Sequence, residues 1–159
     1  MLLHCRQICH FADACHQNHW CRGHKLLCTG SITDEEADSS ALLQFKIHAC
    51  ETNEIFLLVA DVFASICCSL DDLRAEGIMD DAMMLTRALN PYANFVRNPW
   101  WEVAIPSLQD QIDDSEESPE KFAQTLQQLV TESWNMLRQT LDLDRRGLAE
   151  VLSIDYMAR

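Results

Sequence analysis

Glycine and proline are scarce in this chain, with four of each among 159 residues. Hairpins need those residues at their corners, so a strand-and-turn architecture is disfavoured and helices are expected. A membrane span needs about 20 consecutive apolar residues. The longest candidate, Ile55–Leu70, is interrupted by Asp61, so no membrane helix is expected. Basic side chains are also few: 12 Lys and Arg against 25 Asp and Glu give a net charge of −13. An acidic surface repels phosphate backbones, which argues against strong nucleic-acid binding. The plainest reading of the acidity is a solvated face. There is no Gly-rich phosphate loop, no His-Glu-x-x-His and no Gly-x-Ser-x-Gly, which removes the common nucleotide, metalloprotease and hydrolase signatures. Asp71-Asp72 and Asp113-Asp114 are paired carboxylates whose helix-start or loop contexts read as solvated caps.

What the chain does have is concentrated at its start. Residues 1–28 hold five of the eight cysteines and five of the six histidines. The run Cys15-His16-Gln17-Asn18-His19-Trp20-Cys21-Arg22-Gly23-His24-Lys25-Leu26-Leu27-Cys28 contains His24-x3-Cys28, a pair that one helical turn presents together. With Arg6, Arg22 and Lys25 against Asp13, this arm carries about +2 and the remainder about −15. Any DNA contact would be weak, salt-sensitive and confined to those three cations. Met1-Leu2-Leu3 leads at once into His4, Cys5 and Arg6 rather than into an apolar signal segment. A reducing, intracellular compartment is therefore expected, and there clustered Cys and His mean metal more often than disulfide. Thiolates and imidazoles in such density suggest a small zinc module joined to a helical body.

A chain of this length makes one domain, or a small module plus one modest core. Residues 29–40 are small, polar and acidic and read as a linker between the arm at 1–28 and a mainly α, bundle-like domain at 41–159. Ser39 or Ser40 can cap a helix over Ala41–Glu51, whose Leu42, Phe45 and Ala49 recur with Leu43, Ile47 and Cys50 on a broad apolar face. A second helix is expected over Asn53–Leu70, with Thr52 or Asn53 as cap, and one or two more over 71–96, broken at Asn90-Pro91. Cys50, Cys67 and Cys68 fall in apolar stretches and read as small core residues, and Met79, Met83, Met84 and Leu85 read as a core-filling stripe. Asn98–Pro106, with the paired Trp100 and Trp101, reads as a non-helical segment whose tryptophans plug a core edge or line a groove, the core edge being the favoured reading. Ser118-Pro119-Glu120-Lys121 is a helix start with proline in the first turn, running to about Leu141. Asp144 is expected to cap a last helix ending near Ala158.

Cys15, Gln17 (displaced by one), Trp20, His24 and Cys28 together resemble the C-terminal half of a MYND zinc finger, whose usual form is Cys-x3-Cys-Gln-x2-x-Trp-x2-(x)-His-x3-Cys. The departures are specific: Phe11 stands where a cysteine is expected, and the finger's first cysteine pair has no counterpart. The resemblance thus implies at most one complete zinc site, built from Cys5, Cys9, His24 and Cys28. Cys15, with Cys9 or His10, is the remnant of the second. His19 and Cys21 fall on other faces of the short helix and are not expected as ligands.

The likeness extends beyond the finger. His24–Gly30, Phe45-Lys46-Ile47-His48-Ala49 and Thr52–Leu58 are similar to the stretch after the finger in SET-and-MYND proteins, and Pro99–Val103 and Ile154–Arg159 to that family's helical insert. Such proteins are S-adenosylmethionine-dependent protein-lysine methyltransferases or their relatives, found in the nucleus or cytoplasm. Their catalytic core carries an Asn-His-Ser motif and a late tyrosine after the insert. Asn-His-Ser and the core's Gly-rich opening do not occur here. The resemblance implies a zinc-bearing interaction module with a protein or peptide partner, or with the missing SET core, and no bound S-adenosylmethionine of its own. Two alternatives stand beside it: part of a histone methyltransferase whose core lies outside these residues, and a helical protein whose Cys/His arm binds no metal.

Overall fold

A computed structural model of the chain describes residues 13–30, 39–95, 98–103 and 119–159. The described residues are mostly helical and contain no strand, as the glycine and proline scarcity leads one to expect. Helix α1 (Asp13–His19) continues into a wide π-type turn, Trp20–His24, and a single further turn, α2 (Lys25–Leu27). The body comprises α3 (Ala41–Thr52), α4 (Ile55–Ala75), α5 (Asp81–Leu89), a 3-10 turn at Asn90–Tyr92, α6 (Trp100–Val103), α7 (Pro119–Thr140) and α8 (Ile154–Met157).

Helix α3 begins where the capping chemistry puts it, with the Ser40 hydroxyl accepting from the Leu43 amide at 3.3 Å. Asn53 Oδ1 accepts from the Ile55 amide at 3.0 Å and opens α4. Rather than stopping at Leu70, α4 runs on to Ala75, because Asp71 is no cap: Arg146 holds its carboxylate. The stop comes at Gly77, whose φ of +83° lets Ile78 N–H reach back to the Leu73 carbonyl at 3.2 Å.

Helix α4 is the centre of the molecule, with Phe56, Phe63, Ile66, Cys67 and Leu70 all at most 2% exposed. Helices α3 and α7 pack together beside it. His48 Nε2 and Ser133 Oγ meet at 2.8 Å across that pair, which satisfies Ser133, the one buried polar side chain among the described residues. Trp134 Nε1 donates to the Leu152 carbonyl at 2.8 Å, and the Trp100 amide donates to Ala158 O at 2.7 Å, which ties the last described turns to α7 and α6.

Several expectations from patterning are corrected. Cys50 is exposed, and so are Met79 and Met83, while Met84 alone of that stripe is buried. Ile47 is also exposed, so the apolar face of α3 narrows to Phe45 and Ala49 with their flanks. Trp100–Val103 forms a short helix, not an irregular segment, and both tryptophans pack against the core edge. Asp144 caps nothing: it accepts from Arg138 Nε at 2.7 Å, and the last helix is the four-residue α8, capped by Ser153. Asp113 and Asp114 lie outside the described residues.

Candidate functional site

The arm does not stand away from the body. Gly23, at φ +146°, lies flat against α4: a Cβ there would sit 3.0 Å from the Ser65 amide nitrogen and 3.2 Å from the Ala64 Cβ. Only glycine satisfies both the dihedral and the close approach. The wide turn around it brings side chains five apart together, so that the His19 and His24 rings stack at 4.7 Å and the Trp20 ring meets His24 edge-on at 5.8 Å. Gln17 Nε2 donates to Cys21 Sγ at 3.4 Å. Beyond the turn, Leu27 is 6% exposed and belongs to the body's core cluster, and Lys46 Nζ from α3 donates to the Leu27 carbonyl at 2.7 Å.

Two of the five expected metal ligands have described side chains. His24 immediately precedes α2 and Cys28, half-buried with extended backbone (φ −83°, ψ 114°), immediately follows it. The pair therefore brackets one helical turn, and its nitrogen and sulfur donors are of the type that zinc accepts. Cys5 and Cys9 lie outside the described residues, as does the side chain of Cys15. Among the described residues, no group of three or more His, Cys, Asp or Glu is gathered in a way that could hold an ion. Arg6 is likewise outside them.

His19 was not legible as a neighbour of His24, because an interval of five puts two side chains on different faces of a regular helix. The π-type turn closes that interval. Asp61, three residues before Ala64 on α4, faces the arm. Desolvation by the surrounding chain raises its carboxyl from the ordinary aspartate value, and the nearby His19, His24 and Lys46 oppose the rise.

A second feature lies along the first half of α4. An apolar groove of about 720 Å³ is walled by Ile55, Leu58, Val59, Phe95, Trp100 and Tyr156, with Thr86, Asn90, Tyr92 and Arg159 among its polar contributors. Phe56 and Trp100 meet edge-to-face at 6.0 Å at its base, and Tyr92 and Phe95 at 5.6 Å on its rim. Leu58 is 65% and Phe95 58% exposed. Burial raises the Tyr156 phenol, and the neighbouring Tyr92 adds to the rise. Among the described residues the groove is walled mainly by apolar side chains. No described helix is long and apolar enough to cross a membrane.

Comparison with known proteins fits this picture. In an alignment of 142 positions that covers 84% of the chain, it is 29% identical to the histone-lysine N-methyltransferase ATXR2 of Arabidopsis thaliana. The match covers only 29% of the relative, so the chain spans less than a third of the protein it matches. No protein-family model matches the chain. No solved structure matches it either. The chain is thus similar to part of a histone-lysine methyltransferase.

Proposed function

We propose that these 159 residues are the zinc-arm and helical-insert portion of a protein-lysine methyltransferase of the SET-and-MYND type, acting as an interaction module and not catalytic alone. The observation that carries this reading is the similarity to a histone-lysine methyltransferase over 84% of the chain. The matched portion leaves most of the relative's length unaccounted for, and the Asn-His-Ser motif of the catalytic core is not among these residues.

In this reading a single structural zinc is held by His24 and Cys28 together with Cys5 and Cys9, and it folds the arm without taking part in chemistry. S-adenosylmethionine and the target lysine belong to a SET core carried outside these residues. That core is the partner for the apolar groove: Leu58 and Phe95, exposed on its rim, supply the desolvation that stable docking needs. The protein works inside the cell, in the nucleus or cytoplasm, where free thiols such as Cys21 and Cys50 stay reduced.

The test is a purified chain kept under reducing conditions, measured for zinc by elemental analysis and assayed with labelled S-adenosylmethionine on mixed histones. One zinc per chain and no methyl transfer are expected. Methyl transfer by the chain unaided refutes the division of labour. Absence of bound zinc refutes the metal arm and favours a helical protein whose Cys/His cluster is fortuitous.

A further inference from the structure

The lining of the groove along α4 holds one formal charge. Aliphatic and aromatic side chains make up most of it, and Arg159 is the single Asp, Glu, Lys, Arg or His among them. Its sign runs against the rest of the chain, where 25 carboxylates outnumber 12 Lys and Arg. The body sets its place: the Trp100 amide donates to the Ala158 carbonyl at 2.7 Å, which holds the residue before it against α6. Arg74, Arg138, Arg145 and Arg146 each have a carboxylate partner, whereas Arg159 has none among the described residues. Asp155, four residues earlier, is exposed, but α8 ends at Met157 and the two side chains form no ion pair.

We infer that the groove seats a protein segment carrying apolar anchors and a carboxylate. Its aliphatic or aromatic side chains fill the space beside Leu58, Val59 and Trp100, and its Asp or Glu closes on Arg159. This rests on the reading above, in which a protein partner occupies the groove, and adds the chemistry that partner must bring. Desolvation decides the sign. A partner that covers the apolar walls also strips water from the guanidinium, and a cation left without a counter-charge cancels much of what the apolar contact returns. A carboxylate removes that cost through charge-assisted hydrogen bonds, two of them where it meets the guanidinium fork in plane. A lysine in the same place adds repulsion. Tyr156, half-buried in the same lining, has its phenol raised by burial, so it keeps its proton and remains a hydrogen-bond donor.

The experiment is a calorimetric titration of the full chain, under reducing conditions, with three synthetic peptides. All share leucines at helical spacing and differ only at their ends, which carry glutamate, glutamine or lysine. The glutamate peptide is expected to bind about tenfold more tightly than the glutamine one, the difference between a charge-assisted and a neutral hydrogen bond. The lysine peptide should bind weakest, although the net charge of −13 attracts it from afar. Only a local cation produces that order. Arg159→Gln should abolish the preference for glutamate, and Arg159→Glu should turn it towards lysine. Leu58→Gln should weaken all three peptides alike, by about threefold to tenfold, through the lost apolar contact. Both positions are exposed, so the variants are expected to keep the fold, which circular dichroism checks.

Equal affinity for the glutamate and lysine peptides overturns the assignment, and so does a glutamate preference that survives Arg159→Gln. Failure of every peptide to bind overturns it too. Self-association of the chain that Leu58→Gln abolishes makes a second copy the occupant, and the assignment falls with that result. None of these outcomes touches the zinc content or the methyl-transfer assay, so the proposed function and the chemistry of the groove fail separately.

Discussion

Arg146 holds Asp71 across 75 positions of sequence. Its Nη1 donates to both carboxylate oxygens, at 3.0 and 2.9 Å, while its Nε donates to the Leu141 carbonyl at 3.0 Å. One guanidinium thus ties the last third of α4 to the turns that follow α7. Its side chain is 23% exposed, less than the 40% of Asp71, so the pair is partly shielded from solvent screening.

Arg146→Met is expected to lower unfolding free energy by about 1–2 kcal/mol, the range for charge-assisted hydrogen bonds at a partly exposed site. Asp71→Asn should cost less, since asparagine can still accept one bond. Urea unfolding of both single variants and the double variant checks this. A double-variant loss equal to the sum of the singles would show that the two side chains do not interact in solution.

Gly23→Ala is expected to detach the arm locally. The dihedral penalises any Cβ by about 1–3 kcal/mol, and the clash is with α4 backbone rather than with a side chain that can swing away. The loss should be confined: amides of residues 19–28 should exchange faster with deuterium, while those of α7 stay protected. Uniform acceleration across α7 would show that the arm and body do not open separately.

The helices themselves were legible from particular residues. Ser40 before an apolar run, and Pro119 followed by Phe122, Leu126, Leu129 and Val130 at helical spacing, announced α3 and α7; Ser40 caps α3, and the described part of α7 opens at Pro119. The helical class followed from the scarcity of glycine and proline. What failed were judgements that depend on a distant partner. Asp71 and Asp144 looked like caps, yet each is held by an arginine, one of them 75 residues away. Cys50 and Met79 looked like core, but apolar spacing does not say whether a neighbouring helix covers that face, and no described helix does. The arm was legible as a donor-rich stretch. Its docking was not, because it depends on Gly23 at φ +146° meeting Ala64 and Ser65, a contact no local pattern encodes.

Leu58→Gln should leave stability within about 0.5 kcal/mol, the usual range for an exposed substitution, because its side chain is 65% open to solvent. The same change should weaken binding of an environment-sensitive apolar dye to the groove. A large loss of stability would mean that Leu58 is covered in solution, and unchanged dye binding would mean that the groove does not present its apolar rim.

Cys67 predicts an alkaline weakness. It is fully buried on α4, and that burial drives its thiol up to about 11 from 9.0, with Arg146 opposing the rise and Asp71 adding to it. The folded chain therefore keeps the proton longer than the unfolded chain does. The associated stability is fully present below pH 9.0 and is lost as the pH climbs towards about 11, where thiolate formation is easier after unfolding. The shift corresponds to a loss on the order of 2–3 kcal/mol once both states have ionised. Cys67→Ala should unfold somewhat more easily at pH 8, through its small cavity, and should then decline less steeply between pH 9 and 10.5. Cys68, raised by burial on the same helix, leaves a residual slope. Thiol labelling gives an independent check. Cys21 and Cys50, both exposed, should react with a disulfide reagent at once in the native chain, whereas Cys67 and Cys68 should react only at the rate of unfolding. Fast native labelling of Cys67, or identical pH slopes for wild type and Cys67→Ala, would place that sulfur in solvent rather than in the packed centre of α4.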